Sequence, residues 1–579
     1  MKRKINKKNT SIVTIILGLI LVIVVNIFSS FVFHRWDLTA EKRYTLSKPT
    51  LELLKGLDDY VYFKVMLNSK DLPVGFQRLK QETKEMLDEF RAHSKYIEFE
   101  FIDPTKSDDP DMVNASMQEL VDAGLSPTKI FVETKTGSTQ QIIFPGALLS
   151  YKERTVPVQL LTTQIGVNSD EVINNSIQSL EYSLSNAIRK VSNIRKNKIA
   201  ILDDYGCLDQ ENIMAFTALM QEYYDVTFVK LDGQLNSLAN IHSKGEDTVE
   251  MSNKYTALII PGPTKPVSEQ DKFVIDQYIM RGGKVLWLVE PVYVTMDSLQ
   301  SAPSTYVFEN HHNLKDQLFN YGVRLEPMLI MDLQCLDIPL VTGNIAGRPQ
   351  IKMFPWVFFP IITPLSNHPI VNNLNALKTE FVSPITPLAV QGIKQTVLLH
   401  SSPYSRLFMT PDEVSLEILT QKPNADLYQK LDIPIMVLLE GKFKSLYDNR
   451  IPPELMDNPL IDFKKESVEN SMIVISDADM IRNQFRSGDG APLNLGFDQY
   501  TGIQFGNPEL FINIMNYLCD DSHLISVRSR ELKIRMLDNN KIVQNSLKIQ
   551  IFNLLIPSLI VVICGIIYNI FRRRRYVLK

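Results

Sequence analysis

The 579-residue chain is poor in the residues that build covalent or cofactor sites. Its four cysteines, Cys207, Cys335, Cys519 and Cys564, lie far apart and form no C-x-x-C, which excludes a disulfide-rich scaffold and signals neither a redox pair nor a zinc site. Neither G-x-G-x-x-G nor G-x-x-x-x-G-K-[ST] occurs, so no phosphate cradle is predicted; Gly262-Pro263 and Gly282-Gly283 read as turn glycines. A basic excess is missing too: 61 Lys and Arg stand against 65 Asp and Glu, a net charge of −4, which argues against a nucleic-acid binder. There is no internal repeat and no low-complexity tract. What remains, 45% hydrophobic and 22% charged residues, is the composition of a folded globular chain. At roughly 150 residues per domain the length allows about four domains.

The two ends depart from this average. Residues 11–33 (SIVTIILGLILVIVVNIFSSFVF) and 549–571 (IQIFNLLIPSLIVVICGIIYNIF) are uncharged and long enough to cross a hydrocarbon core of ~30 Å. Pro557 is tolerated in such a helix. The first run exceeds the ~7–15 apolar residues of a secretory signal and is followed by no Ala-x-Ala site, so it is predicted to be retained. Lys2, Arg3, Lys4, Lys7 and Lys8 precede the first span, and Arg572, Arg573, Arg574, Arg575 and Lys579 follow the second. Both tails are therefore expected in the cytoplasm, with residues 34–548 across the membrane. Arg528, Arg530, Lys533, Arg535, Lys541 and Lys548 compete with the C-terminal cluster. Trp36 and HRWDLTAEKRY suit the outer interface.

Between the spans the hydrophobic period alternates between that of strands and that of helices. Val61–Leu67 and Ile97–Ile102 read as strands, Phe76–Ser94 and Asp111–Ala123 as helices, and residues 129–158 as short strands; this order suggests a small thioredoxin-like α/β domain, which without a cysteine pair cannot do thiol chemistry. An amphipathic helix carries Ile173, Ile177, Leu180, Leu184, Ile188 and Val191. Lys198–Leu202, Val226–Leu231, Thr256–Pro261 and Lys284–Val289 are buried strands separated by helices at Gln210–Tyr224 and Glu269–Met280, the latter capped by Ser268 with Asp271 reciprocal and ended by Gly282. Continuous apolar strands alternating with helices mean a parallel sheet covered on both faces. Ser471–Ser476 is expected to close that sheet, followed by a helix to Leu518 with Asn507 as cap and Pro508 in its first turn. That leaves Asp337 to about Glu469 as a β-rich insertion of short, irregular strands.

The predicted layout is thus a tail (1–10), first span (11–33), membrane-proximal segment (34–60), small domain (61–165), linking helix (166–195), first part of the larger α/β domain (196–336), insertion (337–469), closing strand and helix (470–520), stalk (521–548), second span (549–571) and tail (572–579).

Candidate chemistry is sparse. Cys207, after the first strand of the larger domain, lacks a G-x-C-x-G elbow and a nearby histidine and reads as structural. His311-His312 resembles half a metal site, but neighbours on a helix point about 100° apart and would not share one ion there. Asp477 and Asp479 follow a buried strand, where open α/β sheets place ligands; they suit either a divalent cation or capping with a salt bridge to Arg482 or Arg486. The basic stretch Arg528–Lys548 suits either anionic headgroups or a solvated stalk or partner surface. No catalytic, cofactor-binding or metal residue is assigned, and no cofactor is expected.

HRWDLTAEKRYTLS, IIPGPTKPVSEQDKFVIDQYIMRGGKVLWLVEP, SDADMIRNQF, FGNPELFINIMNYLCDD and RSRELKIRMLD together resemble the gliding-motility-associated ABC transporter auxiliary family, GldG, of Bacteroidetes-type bacteria. The resemblance implies an amidotransferase-like α/β domain without the enzyme's nucleophile. It also implies a permease in the phospholipid bilayer, a cytoplasmic ATPase reached through that permease, and two copies per complex, with no nucleic-acid partner. The expected role is therefore a non-catalytic auxiliary subunit supporting gliding or cell-envelope export. The competing readings are a membrane-anchored binding module for glycan or lipoprotein and a periplasmic hydrolase.

Overall fold

The computed structural model describes residues 16–24, 45–69, 72–107, 109–134, 137–192, 196–243, 249–345, 348–420, 422–430, 432–452, 458–520, 522, 524–529 and 539–576. Of the first span only residues 16–24, a helix, fall in this set; Trp36, both extreme tails and residues 530–538 of the stalk lie outside it. The chain divides into two units, Met1–Glu531 and Leu532–Lys579.

From residue 45 onward the first unit runs through α1 (Lys48–Lys55), which Ser47 caps by accepting the Thr50 N–H, with Pro49 in the first turn. Then come β1 (Val61–Val65), α2 (Val74–His93), β2 (Ile97–Phe101), α3 (Pro110–Asp122), the hairpin Thr128–Thr134 with Gly137–Ile143, β3 (Gly146–Tyr151), β4 (Arg154–Gln159) and α4 (Ser169–Ser192). The sheet order is β2-β1-β3-β4, with β1 and β2 parallel and the other pairs antiparallel. Two boundaries differ from the sequence reading. Leu46, Leu54 and Leu57, assigned to a membrane-proximal segment, are buried in the core of the small domain. The linking helix belongs to that core as well: Ile173, Ile177, Leu180, Leu184 and Ile188 pack against Phe63, Leu87 and Leu149. An apolar stripe along six helical turns finds its cover here.

The main sheet follows with β5 (Lys198–Leu202), α5 (Met214–Gln221), β6 (Asp225–Val229), β7 (Ala257–Pro261), α6 (Glu269–Met280), β8 (Lys284–Leu288), β9 (Ile393–His400), β10 (Pro434–Gly441), β11 (Asn470–Ile475) and α7 (Asn507–Cys519). Its order is β9-β10-β11-β8-β7-β5-β6; β11, β8, β7, β5 and β6 run parallel, and β10 and β9 join antiparallel at one edge. Alternate side chains feed two cores. Ile199, Ile259, Leu286 and Ile473 face α5 and α7, while Ala200, Leu258, Trp287 and Val474 face α6. Ser268 caps α6 by accepting the Asp271 N–H, and Gly282 takes φ +87° just beyond it. Gly283 has no room for a side chain, since a Cβ would lie 2.4 Å from the Tyr278 ring.

The insertion assigned to residues 337–469 is corrected in two respects. It supplies β9 and β10 to the main sheet, so it is not separate from it. Its prolines also do not enforce short strands: Cys335–Ile345 and Arg348–Ile362 form a long hairpin of 11 and 15 residues, with register shifts at Cys335/Asp337 and Val341/Gly343. A hairpin leaves most outward-facing N–H positions outside any ladder, and proline is tolerated there.

Two smaller differences concern helix starts. The helix expected from Gln210 begins at Met214, where Asn483, reaching from the loop after β11, accepts the Ala215 N–H at 3.1 Å. Asn507 is not the cap of α7. Gly506 holds that place, and the Asn507 side chain bonds Lys378 at both backbone N–H and C=O (3.0 and 2.9 Å).

The second unit contains α8 (Asn539–Tyr576), with a non-helical Asn545 (φ −116°) and Pro557 inside. Among the described residues, its segment Asn545–Arg574 is the one helix long and apolar enough to cross a membrane.

Candidate functional site

Parallel strands bring their carboxyl ends to one edge, and the loops leaving that edge carry the chemistry of an open α/β sheet. Glu290 follows β8; Asp477 and Asp479 follow β11, its neighbour. One oxygen from each of the three carboxylates lies within 4.8 Å of the others. Backbone amides hold two of them: Glu290 Oε1 accepts from Ala478 N–H (3.1 Å) and Asp477 Oδ2 from Glu380 N–H (2.8 Å). Gly262, at φ +65° after β7, admits this loop, because a Cβ there would lie 2.8 Å from that of Ala478. Two cations border the cluster: Arg482 Nε lies 3.0 Å from Asp479 Oδ1, and Lys378 Nζ 2.8 Å from Glu380 Oε1.

Burial pushes all three carboxyls above the usual carboxylate range. The Asp479 charge adds to the rise at Glu290 and Asp477, while Arg482 draws Asp479 back down. Of the two partners considered for a salt bridge in this loop, Arg482 pairs with Asp479, and Arg486 pairs with Asp489 instead. The sequence reading missed Glu290, whose signal was its place at the carboxyl end of an apolar strand.

The remaining candidates do not join this cluster. Cys207 is half-buried, packed against the α6-side core, and burial pushes its thiol up to about 12, so it stays protonated at neutral pH. Cys207→Ser is expected to unfold within about 1 kcal/mol of the wild type in a denaturant titration, and to complement a deletion strain. Normal membrane levels without complementation would give the thiol a chemical role. His312 is fully buried, its Nδ1 accepting the Leu314 N–H at 3.0 Å, and burial pushes its imidazole down to about 4; His311 is exposed, so the two rings do not face one ion.

A second constellation lies on α4, which holds residues 47–50 and 524–528 of the first unit. Glu181 accepts from Ser47 N–H (2.7 Å) and Thr50 Oγ1 (2.8 Å) on the entering chain. Its neighbour Tyr182 lies under the Arg528 guanidinium, 5.0 Å from the ring centroid, and packs with Leu524, Ile525 and Val527 on the leaving chain. Arg528 Nη2 also donates to Asn372 O (2.5 Å), so this residue of the basic stretch is docked on the body. Tyr182 further donates to Asn513 (3.1 Å), and Arg189 pairs with Asp520 (2.7 Å) and bonds Asn516 (2.6 Å), which fastens α4 to α7.

The class this defines is a mixed α/β chain with a mostly parallel central sheet and an apolar C-terminal helix. The family model described as an ABC-type uncharacterized transport system matches residues 196–514, more than half of the chain, and the chain belongs to that family. Its role is accordingly an auxiliary one in an ABC-type transport system. A domain of unknown function matches residues 40–150. An uncharacterized protein of Borreliella burgdorferi is 22% identical over 583 residues, covering 98% of this chain and 99% of that protein. Among solved structures, the mmIFT52 N-terminal domain aligns with 55% of this chain and 96% of its own length at 10% identity and a TM-score of 0.30, too low to carry an argument.

Proposed function

We propose that this protein is a non-catalytic, GldG-like subunit of a bacterial inner-membrane ABC transporter. Its large periplasmic region works with a membrane permease and, through it, a cytoplasmic ATPase, in gliding motility or related cell-envelope export. The observation that carries this reading is the meeting on α4 of two segments far apart in the chain, one near the start of the described body and one near its finish. Residues 47–50 and 524–528 are held by Glu181 and Tyr182, successive residues of one helix. A body whose entry and exit adjoin suits a chain anchored on one side of a bilayer by hydrophobic segments at both ends, with both termini in the cytoplasm. The sheet order β2-β1-β3-β4 supports a thioredoxin-like frame for the small domain, and the five parallel strands support an amidotransferase-like frame for the larger one.

The chain carries no nucleotide-binding motif, so transport energy must come from a partner. Affinity purification of the full chain from its native membranes tests this: a permease and an ATPase are expected in stable association, with two copies of this chain per complex. Recovery of the chain alone under conditions that preserve other ABC complexes would refute the reading. Reporter fusions at Glu290 are expected to signal from the periplasm, and a cytoplasmic signal there would overturn the topology.

A further inference from the structure

The acidic cluster at the carboxyl ends of β8 and β11 has an imbalance that the protein's own groups leave uncorrected. The carboxylates of Glu290, Glu380, Asp477 and Asp479 meet there, with the Asp297 charge also acting on Asp479, against the cations Lys378 and Arg482. Lys378 pairs with Glu380 and Arg482 with Asp479; the Arg482 charge also reaches Glu290, but neither Glu290 nor Asp477 makes an ion pair of its own among the described residues. Asp477 has 0% of its surface exposed, and its Oδ1 has no hydrogen-bond partner among the described residues. Its other oxygen is pinned by the Glu380 N–H, so the carboxylate cannot turn away without breaking that bond. A buried carboxylate oxygen without a partner is strongly destabilising unless a cation or a proton meets it.

We propose that Glu290, Asp477 and Asp479 bind one hard divalent cation, of the calcium and magnesium class. The ligand set is entirely oxygen, with neither imidazole nor thiolate, which selects hard cations over zinc or copper. Such ions take carboxylate oxygens at about 2.0–2.6 Å, so ligands on opposite sides of one ion stand at most about 5.2 Å apart. The three oxygens, all within 4.8 Å of one another, fit around one ion. Asp477 supplies the buried end of the site. Glu290 and Asp479 are partly exposed and leave an approach for the ion and for the waters that complete its shell. The ion cancels the excess charge and gives Asp477 Oδ1 its missing partner. It also ties the ends of two sheet strands to the Lys378–Glu380 segment, which Asn507 fastens to α7.

The test uses the full chain in detergent, stripped with EDTA and titrated separately with CaCl2, MgCl2 and MnCl2 by isothermal calorimetry. One saturable equivalent of at least one ion is expected, with a raised melting temperature in that ion. Asp477→Asn and Glu290→Gln are each expected to weaken binding at least tenfold while melting, metal-free, no lower than the wild type, because each removes a like charge. Should either variant fail to fold, Arg482→Ala frees Asp479 from its guanidinium and is expected to bind the ion more tightly. Absence of saturable binding to the wild type, as when a shared proton already satisfies Asp477, would overturn the site, as would affinity unchanged by all three substitutions. The outcome is independent of the transport role.

Discussion

Exchanging residues 549–571 for a generic poly-Leu/Ala span is expected to abolish recovery of the proposed permease, whereas the same exchange of residues 11–33 is expected to weaken it less. Between helices in lipid there is little hydrophobic drive; close approach at small residues and hydrogen bonds across the contact hold them together. The second span has Ser558, Cys564 and Gly565 for approach, and Asn553 and Asn569 as groups that bond a neighbour. The Ser558 hydroxyl is itself satisfied by the Leu554 carbonyl at 2.9 Å, so it adds smallness at no polar cost. The first span is richer in Ile, Leu and Val, with Gly18 and Asn26 as its main exceptions. Interhelical bonds of roughly 0.6–2 kcal/mol each and a tenfold loss of affinity per about 1.4 kcal/mol make removal of several such contacts enough to lose the complex during purification. Equal retention of the proposed permease by both exchanged proteins, each inserted and folded, would place the contact in the domains between the two segments.

The second large effect concerns Asp276, on α6. It has 0% exposure and is the acceptor for four groups from three parts of the chain: Tyr321 Oη (2.8 Å), Ser445 Oγ (2.6 Å), Leu446 N–H (2.9 Å) and Gln277 Nε2 (3.1 Å). Asp276→Ala leaves those donors buried and unpaired. A loss of about 3–5 kcal/mol is expected, the range for breaking a buried charged network from one side. Asp276→Asn keeps one acceptor but turns an amide donor toward groups that also donate, so it should recover only part. Urea unfolding of the detergent-solubilised chain measures both, and a loss below about 1 kcal/mol for the alanine variant would contradict the network.

Asp276 also marks a limit of what the sequence could tell. The spacing of Glu269–Met280 places a helix there, and the helix has those bounds. Its polar residues alone would suit a solvent face, yet Lys272, Asp276 and Gln277 are fully buried: Asp276 and Gln277 bond the segment around Ser445 and Lys464, and Lys272 pairs with Asp316. KIAIL, TALIIP, KVLWLV and SMIVIS were legible as strands because each is an unbroken apolar run, and all four lie in the main sheet. PIMVLLEG carries the same signal at β10, but its proline-rich surroundings drew it into the insertion; which strand it pairs with is decided by contacts distant in sequence. Ser47 followed two residues later by Pro49 is a helix-start signal, and α1 begins there. The acidic site was half legible. Asp477 and Asp479 stand out at a strand end, whereas Glu290 becomes their neighbour only once β8 and β11 are known to adjoin.

The position of β11 has a consequence for how the protein is made. Met472 pairs with Val285 on one side and Leu439 on the other, so this late strand fills an interior slot of the sheet. A chain delivered from its N-terminus exposes the facing edges of β8 and β10 until residues beyond 475 arrive, and no earlier stretch can stand in for them. Completion of the fold is thus tied to near-complete synthesis, and the waiting period, with two apolar strand edges open, is when the nascent protein is most exposed to aggregation and most in need of a chaperone.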